Sequence, residues 1–358
     1  MVNLVYFNEP LSYLQRSCEN FQYSDCLSKA GVNENPYLRL AYVAGFCLGG
    51  FSMHENRTLK PFNPLLGETF EYVDNQLNFR YFAEQVSHHP PISACYAESD
   101  VFTFYTNSHA KSKLSLMRGA LEFHPSGRTF VNLKKFNETI TFTKPKVCVR
   151  GLIIGKMRID MYGKIILKNH STDDFCELEI MEEGLFNSKD KGKVIGGCYD
   201  KDKNLRLKVE GNWRSHLDVL LPDSEGMFTI RENIWKQTPI NTDPGKEEDV
   251  YFFTDYGINL NHLTEEMKAV LPHTDSRFRP DQRALEYQDY ELAASEKNRL
   301  EEKQRVRRKE MEKNHQVHKP IYFEETYDEL NGELIFRYVK DYWKDREKRN
   351  FSHLIDIF

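Results

Sequence analysis

From Glu68 to about Leu221 the apolar residues fall at every second position, in runs such as Val101-Phe-Thr-Phe-Tyr, Ile140-Thr-Phe-Thr, Lys164-Ile-Ile-Leu and Leu205-Arg-Leu-Lys-Val. A period of two sends alternate side chains to opposite faces of a strand, so each run can bury one face. Turn signals separate the runs: Pro125-Ser-Gly, Gly151, Gly163 and Asp200-Lys-Asp-Lys-Asn. No helical pattern intervenes, so the strands are expected to follow one another as a large antiparallel meander. That many strands close into a sandwich or a barrel, and a barrel of more than about eight strands has room for a ligand.

The flanks read differently. Leu11, Leu14, Cys18 and Phe21 recur at helical spacing after Pro10, which suits a first helical turn. Tyr37 to Phe51 is apolar nearly all round, as a buried helix would be. Residues 281 to 313 are highly charged, lack Gly and Pro, and carry Ala284, Leu285, Leu292, Ala293 and Leu300 at helical intervals. One long helix ending at Pro320 is predicted there. The tail beyond holds Tyr322, Phe323, Tyr327, Phe336, Tyr338, Tyr342 and Trp343, too much aromatic surface to leave in water. These readings divide the chain into a helical part at 1–55, a β part at 56–275 and a helical part at 276–358, all within one domain.

Charge and cysteine content narrow the function classes. The 358 residues carry 49 Lys plus Arg against 54 Asp plus Glu, a net charge of −5, so a nucleic-acid partner is not expected. Seven scattered cysteines without a CxxC pair suggest neither a disulfide framework nor a zinc site, and favour a reducing compartment. No stretch reaches the roughly 18 apolar residues of a membrane span, and the amino terminus lacks a signal-peptide pattern. A cytoplasmic chain that touches membranes peripherally is the expectation.

Three patches carry polar chemistry. Lys60-Pro-Phe-Asn-Pro-Leu-Leu-Gly-Glu68 fixes a turned backbone around a cation, Lys60, and an amide, Asn63. In Glu84-Gln-Val-Ser-His-His-Pro-Pro91 the prolines are expected to hold the backbone extended, which turns the rings of His88 and His89 to opposite sides. Without HExxH or a third ligand a metal is not expected, and imidazole donors suit a phosphate or carboxylate better. On the predicted long helix Lys297, Glu301 and Arg305 lie at i, i+4 and i+8, on one face. Residues 297 to 309 hold seven basic residues against two acidic ones, a local +5 in an acidic chain.

Together these patches resemble the lipid-binding domain of the oxysterol-binding-protein-related family of lipid-transfer proteins. The run at 84–91 is that family's signature octapeptide, and further matches are Phe7-Asn-Glu-Pro-Leu-Ser-Tyr-Leu-Gln-Arg16, 60–68, Val209-Glu-Gly-Asn-Trp213, Arg279-Pro-Asp-Gln-Arg-Ala-Leu-Glu286 and Lys297…Glu301…Gln304-Arg305. The resemblance implies an α+β fold: a nearly closed antiparallel β-barrel whose apolar tunnel holds one lipid, with helices from both ends of the sequence packed around it. It implies a headgroup site for phosphatidylinositol 4-phosphate in which Lys60, His88, His89 and Arg305 hold the 4-phosphate. Asn63 would contact the region of the glycerol phosphate, and Lys297 with Glu301 the inositol ring.

The expected activity is exchange of phosphatidylinositol 4-phosphate for a second lipid, sterol or phosphatidylserine, at an anionic membrane surface. No cofactor and no catalysis are implied. A hydrolase acting through His88 or His89 is the competing reading, and a phosphoinositide-sensing scaffold without net transport is another. Only Met1 to Tyr6 precede the Phe7-Asn-Glu-Pro segment, so the amphipathic lid usual in the family is expected to be mostly absent. Glu247 to Tyr256 has the look of an acidic FF motif for tethering to the endoplasmic reticulum, although the family carries a similar strand there.

Overall fold

The computed structural model describes residues 2–115, 120–151, 157–182, 191–240 and 251–358. The first strand, β1 (Asn8–Ser12), pairs in parallel with β2 (Lys60–Phe62). Between them lie α1 (Tyr13–Cys18), α2 (Ser24–Val32) and α3 (Pro36–Ser52). Pro10 therefore sits in a strand and not in a first helical turn as expected. The helix starts later because Ser12 and Gln15 form a capping box, each side chain bonded to the other's backbone N–H. α3 begins with Pro36 at its first turn, capped by Asn35, and is buried from Leu38 to Ser52.

The meander follows as β3 (Thr69–Asp74), β4 (Phe79–His88), β5 (Pro91–Glu98), β6 (Phe102–Ser115), β7 (Ala120–Ser126), β8 (Arg128–Leu133), β9 (Glu138–Thr143) and β10 (Lys146–Arg150). It continues as β11 (Arg158–Asn169), β12 (Phe175–Ile180), β13 (Lys193–Tyr199), β14 (Leu205–Asn212), β15 (His216–Pro222) and β16 (Phe228–Lys236). Among the described residues these make one 14-stranded antiparallel sheet whose outer strands, β3 and β16, do not pair with each other. Closure occurs elsewhere. The long strands β6 and β11 are joined by two routes, through β7 and β10 and through β8 and β9, which makes a six-stranded ring inside the larger sheet.

The helices pack against the sheet. α1 meets β3 to β5 and α3 lies across β11 to β16, in one core that includes Phe21, Phe46, Phe104 and Trp235. The approach of α3 to β16 needs small residues: a Cβ on Gly45 would lie 3.0 Å from Ile234, and one on Gly49 would lie 2.7 Å from the Trp235 indole nitrogen.

Past two short helices, α4 (Asp255–Asn259) and α5 (Glu265–Lys268), the predicted long helix is two: α6 (Pro280–Glu286) and α7 (Tyr290–Lys313). Gln288 has φ +62° and Asp289 caps α7 by accepting from the Leu292 N–H, so the apolar seam is reset at the break and Leu292 is exposed. α7 ends at Lys313, well before Pro320. The aromatic tail is packed as expected, with Tyr342 stacked on Phe82 at 4.0 Å, but it is not wholly helical. It opens with a hairpin, β17 (Phe323–Asp328) and β18 (Glu333–Tyr338), on which Tyr327 stays exposed, and closes with α8 (Tyr342–Lys348).

Of the acidic FF segment, 247–250 lie outside the described residues. Phe253 is buried under the Arg57 guanidinium, which stands 4.7 Å from its ring, so this phenylalanine belongs to the core. The seven cysteines are all free and buried.

Candidate functional site

The motifs far apart in sequence are wired to one another by buried polar contacts. The Asn8 amide donates to the carbonyls of Lys60 and Pro61, at 3.3 and 3.2 Å, and so fixes the start of the 60–68 loop. Glu9 accepts from Arg16 and Arg57, and Arg57 also forks onto Glu19. At the loop's other end Glu68 accepts from the Leu65 N–H at 2.9 Å, from Ser276 Oγ at 2.6 Å and from Arg279 at 2.9 Å. Arg279 reaches the Asn63 carbonyl as well, at 2.8 Å, and Asp281. Burial opposes the charge on Arg279, but Asp281 and Glu68 overcome it and hold its pKa above the ordinary value.

Within the signature octapeptide, His88 lines cavities and His89 beside it is exposed. Glu84 is buried and accepts from the backbone N–H groups of Ile321 and Tyr322, at 2.8 and 3.0 Å, which staples the aromatic tail to β4. Gln85 bonds Ser93 and the Ser87 carbonyl. His89 and Pro90 form a two-residue turn between β4 and β5 with a cis peptide between them, not the extended run expected from the prolines. The rings of His88 and His89 consequently lie together, centroids 4.5 Å apart, instead of pointing to opposite sides.

His88 opens onto a cavity of about 360 Å³ lined also by Asn63, Glu301, Gln304, Arg305 and Arg308. Four of the seven expected residues, Asn63, His88, Glu301 and Arg305, thus share one cavity. Lys297 joins them through its ion pair with Glu301, and His89 through its ring contact with His88. Lys60 is placed differently. It lines a larger cavity of about 610 Å³, walled by apolar residues such as Phe51, Leu121, Phe123 and Val149. One loop therefore serves both cavities, Lys60 and Pro61 lining the apolar one and Asn63 to Leu65 the polar one.

Burial lowers the His88 pKa, and the neighbouring His89 and Arg308 lower it further while Glu301 works the other way. These surroundings favour the neutral ring. Arg279 also lines this cavity, as do two polar residues of α7 that were absent from the expected set, Gln304 and Arg308. Their signal was legible as spacing, since 297, 301, 304 and 308 follow i, i+4, i+7 and i+11 and share a helix face.

A cation-lined pocket beside an apolar one suits an amphiphile with an anionic head. Residues 2–347 match the family model described as oxysterol-binding protein, and the chain belongs to that family. It is 36% identical to oxysterol-binding protein-related protein 1 of Mus musculus, across 99% of this chain and 40% of the relative. Against oxysterol-binding protein homolog 1 of Saccharomyces cerevisiae the identity is 33%, over 99% and 31%. The chain spans about two fifths or less of the length of these curated relatives. Among solved structures, the Osh1 ORD domain in complex with ergosterol superposes with a TM-score of 0.90 at 33% identity, over 99% of this chain and 86% of that one. The Osh3 ORD in complex with PI(4)P from Saccharomyces cerevisiae gives 0.84 at 29%, over 99% and 90%.

Proposed function

We propose that this chain is a lipid-transfer domain that extracts phosphatidylinositol 4-phosphate and exchanges it for a second lipid, a sterol, between membranes. The observation that carries the reading is that one loop joins the cavity holding His88, Arg305 and Arg308 to the apolar cavity that Lys60 lines. Lys60, His88, His89 and Arg305 take the 4-phosphate by charge-assisted hydrogen bonds, Asn63 contacts the glycerol phosphate region, and Lys297 with Glu301 binds the inositol ring. The solved relatives that hold ergosterol and PI(4)P support both ligands.

The physics of the task is desolvation. At ~0.8 kcal/mol per methylene, a lipid with about 30 methylenes costs over ~20 kcal/mol to expose to water, and an apolar cavity removes most of that barrier without chemistry. No described helix is long and apolar enough to cross a membrane, and the domain works from the aqueous side as a peripheral, cytoplasmic protein. The basic stretch of α7 steers the cavities toward anionic lipid at roughly 1 kcal/mol per basic residue near the surface.

Phosphatidylserine is the second reading for the exchanged lipid. A liposome assay with labelled sterol and labelled phosphatidylserine, with and without phosphatidylinositol 4-phosphate in the acceptor, decides between them. If neither lipid moves and the phosphoinositide is not extracted, the transfer reading is wrong; release of a hydrolysed product would favour the hydrolase reading.

A further inference from the structure

Another cavity, of about 420 Å³, shares Leu65, His88, Gln304 and Arg308 with the headgroup cavity, so the Gln304–His88 contact forms a common wall. Its remaining walls combine the apolar Leu66, Val306, Met311 and Ile357 with the charged Glu302, Lys303, Arg307, Glu310 and Asp356, of which Glu302 is paired with Arg305 and Asp356 with Lys303. Its size falls in the range of small-ligand sites.

Arg307 is unlike its neighbours on α7. Arg299 pairs with Glu296, Arg305 with Glu302 and Arg308 with Glu312, each one turn away. Arg307 has no carboxylate partner among the described residues, although Glu310 lies one turn on. The side chain is half-buried, and burial alone lowers its pKa.

His318, on the segment that runs back from α7, repeats the pattern. Its Nε2 is buried with no hydrogen-bond partner, and its Cε1 would stand 3.8 Å from a Cβ at Gly67, so the ring lies against the 60–68 loop. Burial, then the charge of Arg307, pushes its pKa down to about 4. A buried polar group left unbonded costs about 1–3 kcal/mol. Here a guanidinium without a carboxylate partner lies on the cavity wall, and an unsatisfied imidazole nitrogen outside that wall is near enough to feel its charge. An oxyanion answers both, because it accepts from the guanidinium and from Nε2–H.

We propose that this cavity is an accessory site for an amphiphile with one oxyanion head and one alkyl chain. The head rests on Arg307, with His318 next to that guanidinium beyond the cavity wall, and the chain lies along Leu66, Val306, Met311 and Ile357. The site is separate from the headgroup cavity and does not rest on the transfer reading.

The test is calorimetric titration of the full chain with n-decyl phosphate, inorganic phosphate and n-decanol. Decyl phosphate binds at least about tenfold more tightly than either control, and Arg307→Gln lowers its affinity by about tenfold or more. The same variant leaves binding of a soluble short-chain phosphatidylinositol 4-phosphate unchanged, whatever the outcome for transfer in the wild type. Equal affinity in wild type and Arg307→Gln overturns the proposal. So does inorganic phosphate binding as tightly as decyl phosphate, or one-for-one displacement of decyl phosphate by a short-chain phosphatidylinositol 4-phosphate. A photoreactive alkyl phosphate keeps the idea testable should the variant misfold: labelling of 303–311 in the wild type supports it, and labelling confined to β7 or β10 overturns it.

Discussion

The Gln304 amide stands between the 60–68 loop and His88: its oxygen accepts from the Leu66 N–H at 2.7 Å, and its nitrogen lies 3.0 Å from His88 Nε2. The Leu66 donor settles which end of the amide is oxygen, so the nitrogen donates and His88 presents Nε2 as acceptor, leaving the proton of the neutral ring on Nδ1. Gln304 is therefore a positioning residue. Gln304→Ala is expected to weaken phosphoinositide extraction about fivefold, the equivalent of one hydrogen bond of about 1 kcal/mol. An NMR titration should show a displaced His88 midpoint in the variant, which loss of packing alone would not produce.

The proposed role of His88 in headgroup binding predicts a pH dependence. The His88 pKa in the empty site is below the ordinary histidine value because of burial, His89 and Arg308, and a bound phosphate raises it. The complex then holds a proton that the free protein lacks, so affinity falls as pH rises above the depressed pKa of the free ring. His88→Gln should flatten that slope in a binding assay above that pKa. A slope unchanged in His88→Gln would assign the dependence to another group.

Glu84 ties stability to pH through the tail. Burial raises its pKa to about 7, against which the Ile321 and Tyr322 N–H groups pull it down. A carboxyl whose folded pKa lies above its unfolded value adds stability that is complete below about pH 4.5 and is lost as pH rises through about 7. Denaturation of wild type and Glu84→Gln at several pH values should reveal a difference of order 3 kcal/mol accumulating in that window. Glu84→Ala should cost about 2–4 kcal/mol at low pH, because two backbone donors lose their acceptor, and progressively less as pH rises through about 7.

Lys297 and Glu301 form an (i, i+4) ion pair with the glutamate half exposed, an arrangement worth about 0.3–0.5 kcal/mol in a helix. Alanine at either position is expected to leave the melting temperature within about 2 °C of wild type. Inositol-ring binding by these residues predicts a loss of headgroup affinity of about tenfold in the same variants. A melting shift without an affinity loss would make the pair structural.

Strand periodicity and the buried α3 were readable from the chain because alternation and all-round apolarity follow directly from burial. The break at Gln288 was not, since nothing in the charged run distinguishes a residue with positive φ from its helical neighbours. The site was legible at Asn63, His88, Glu301 and Arg305, whose motifs carry both charge and fixed spacing. What those motifs conceal is their division of labour. Glu84, Glu68, Arg279 and Asn8 look as chemically eligible as the histidines, yet their polar groups are consumed in holding loops together. Lys60 and Asn63 stand three residues apart on opposite sides of a boundary that only the folded loop creates.

The contact of α3 with β16 has a consequence for biosynthesis. The apolar face carrying Gly45 and Gly49 is made early, but its cover, Ile234 and Trp235, leaves the ribosome more than 180 residues later, at the opposite end of the sheet. Closing so long a loop is slow, and folding rates fall as contacts become more distant in sequence. Nascent chains arrested before Lys236 should expose this helix and recruit chaperones, whereas chains arrested beyond it should not.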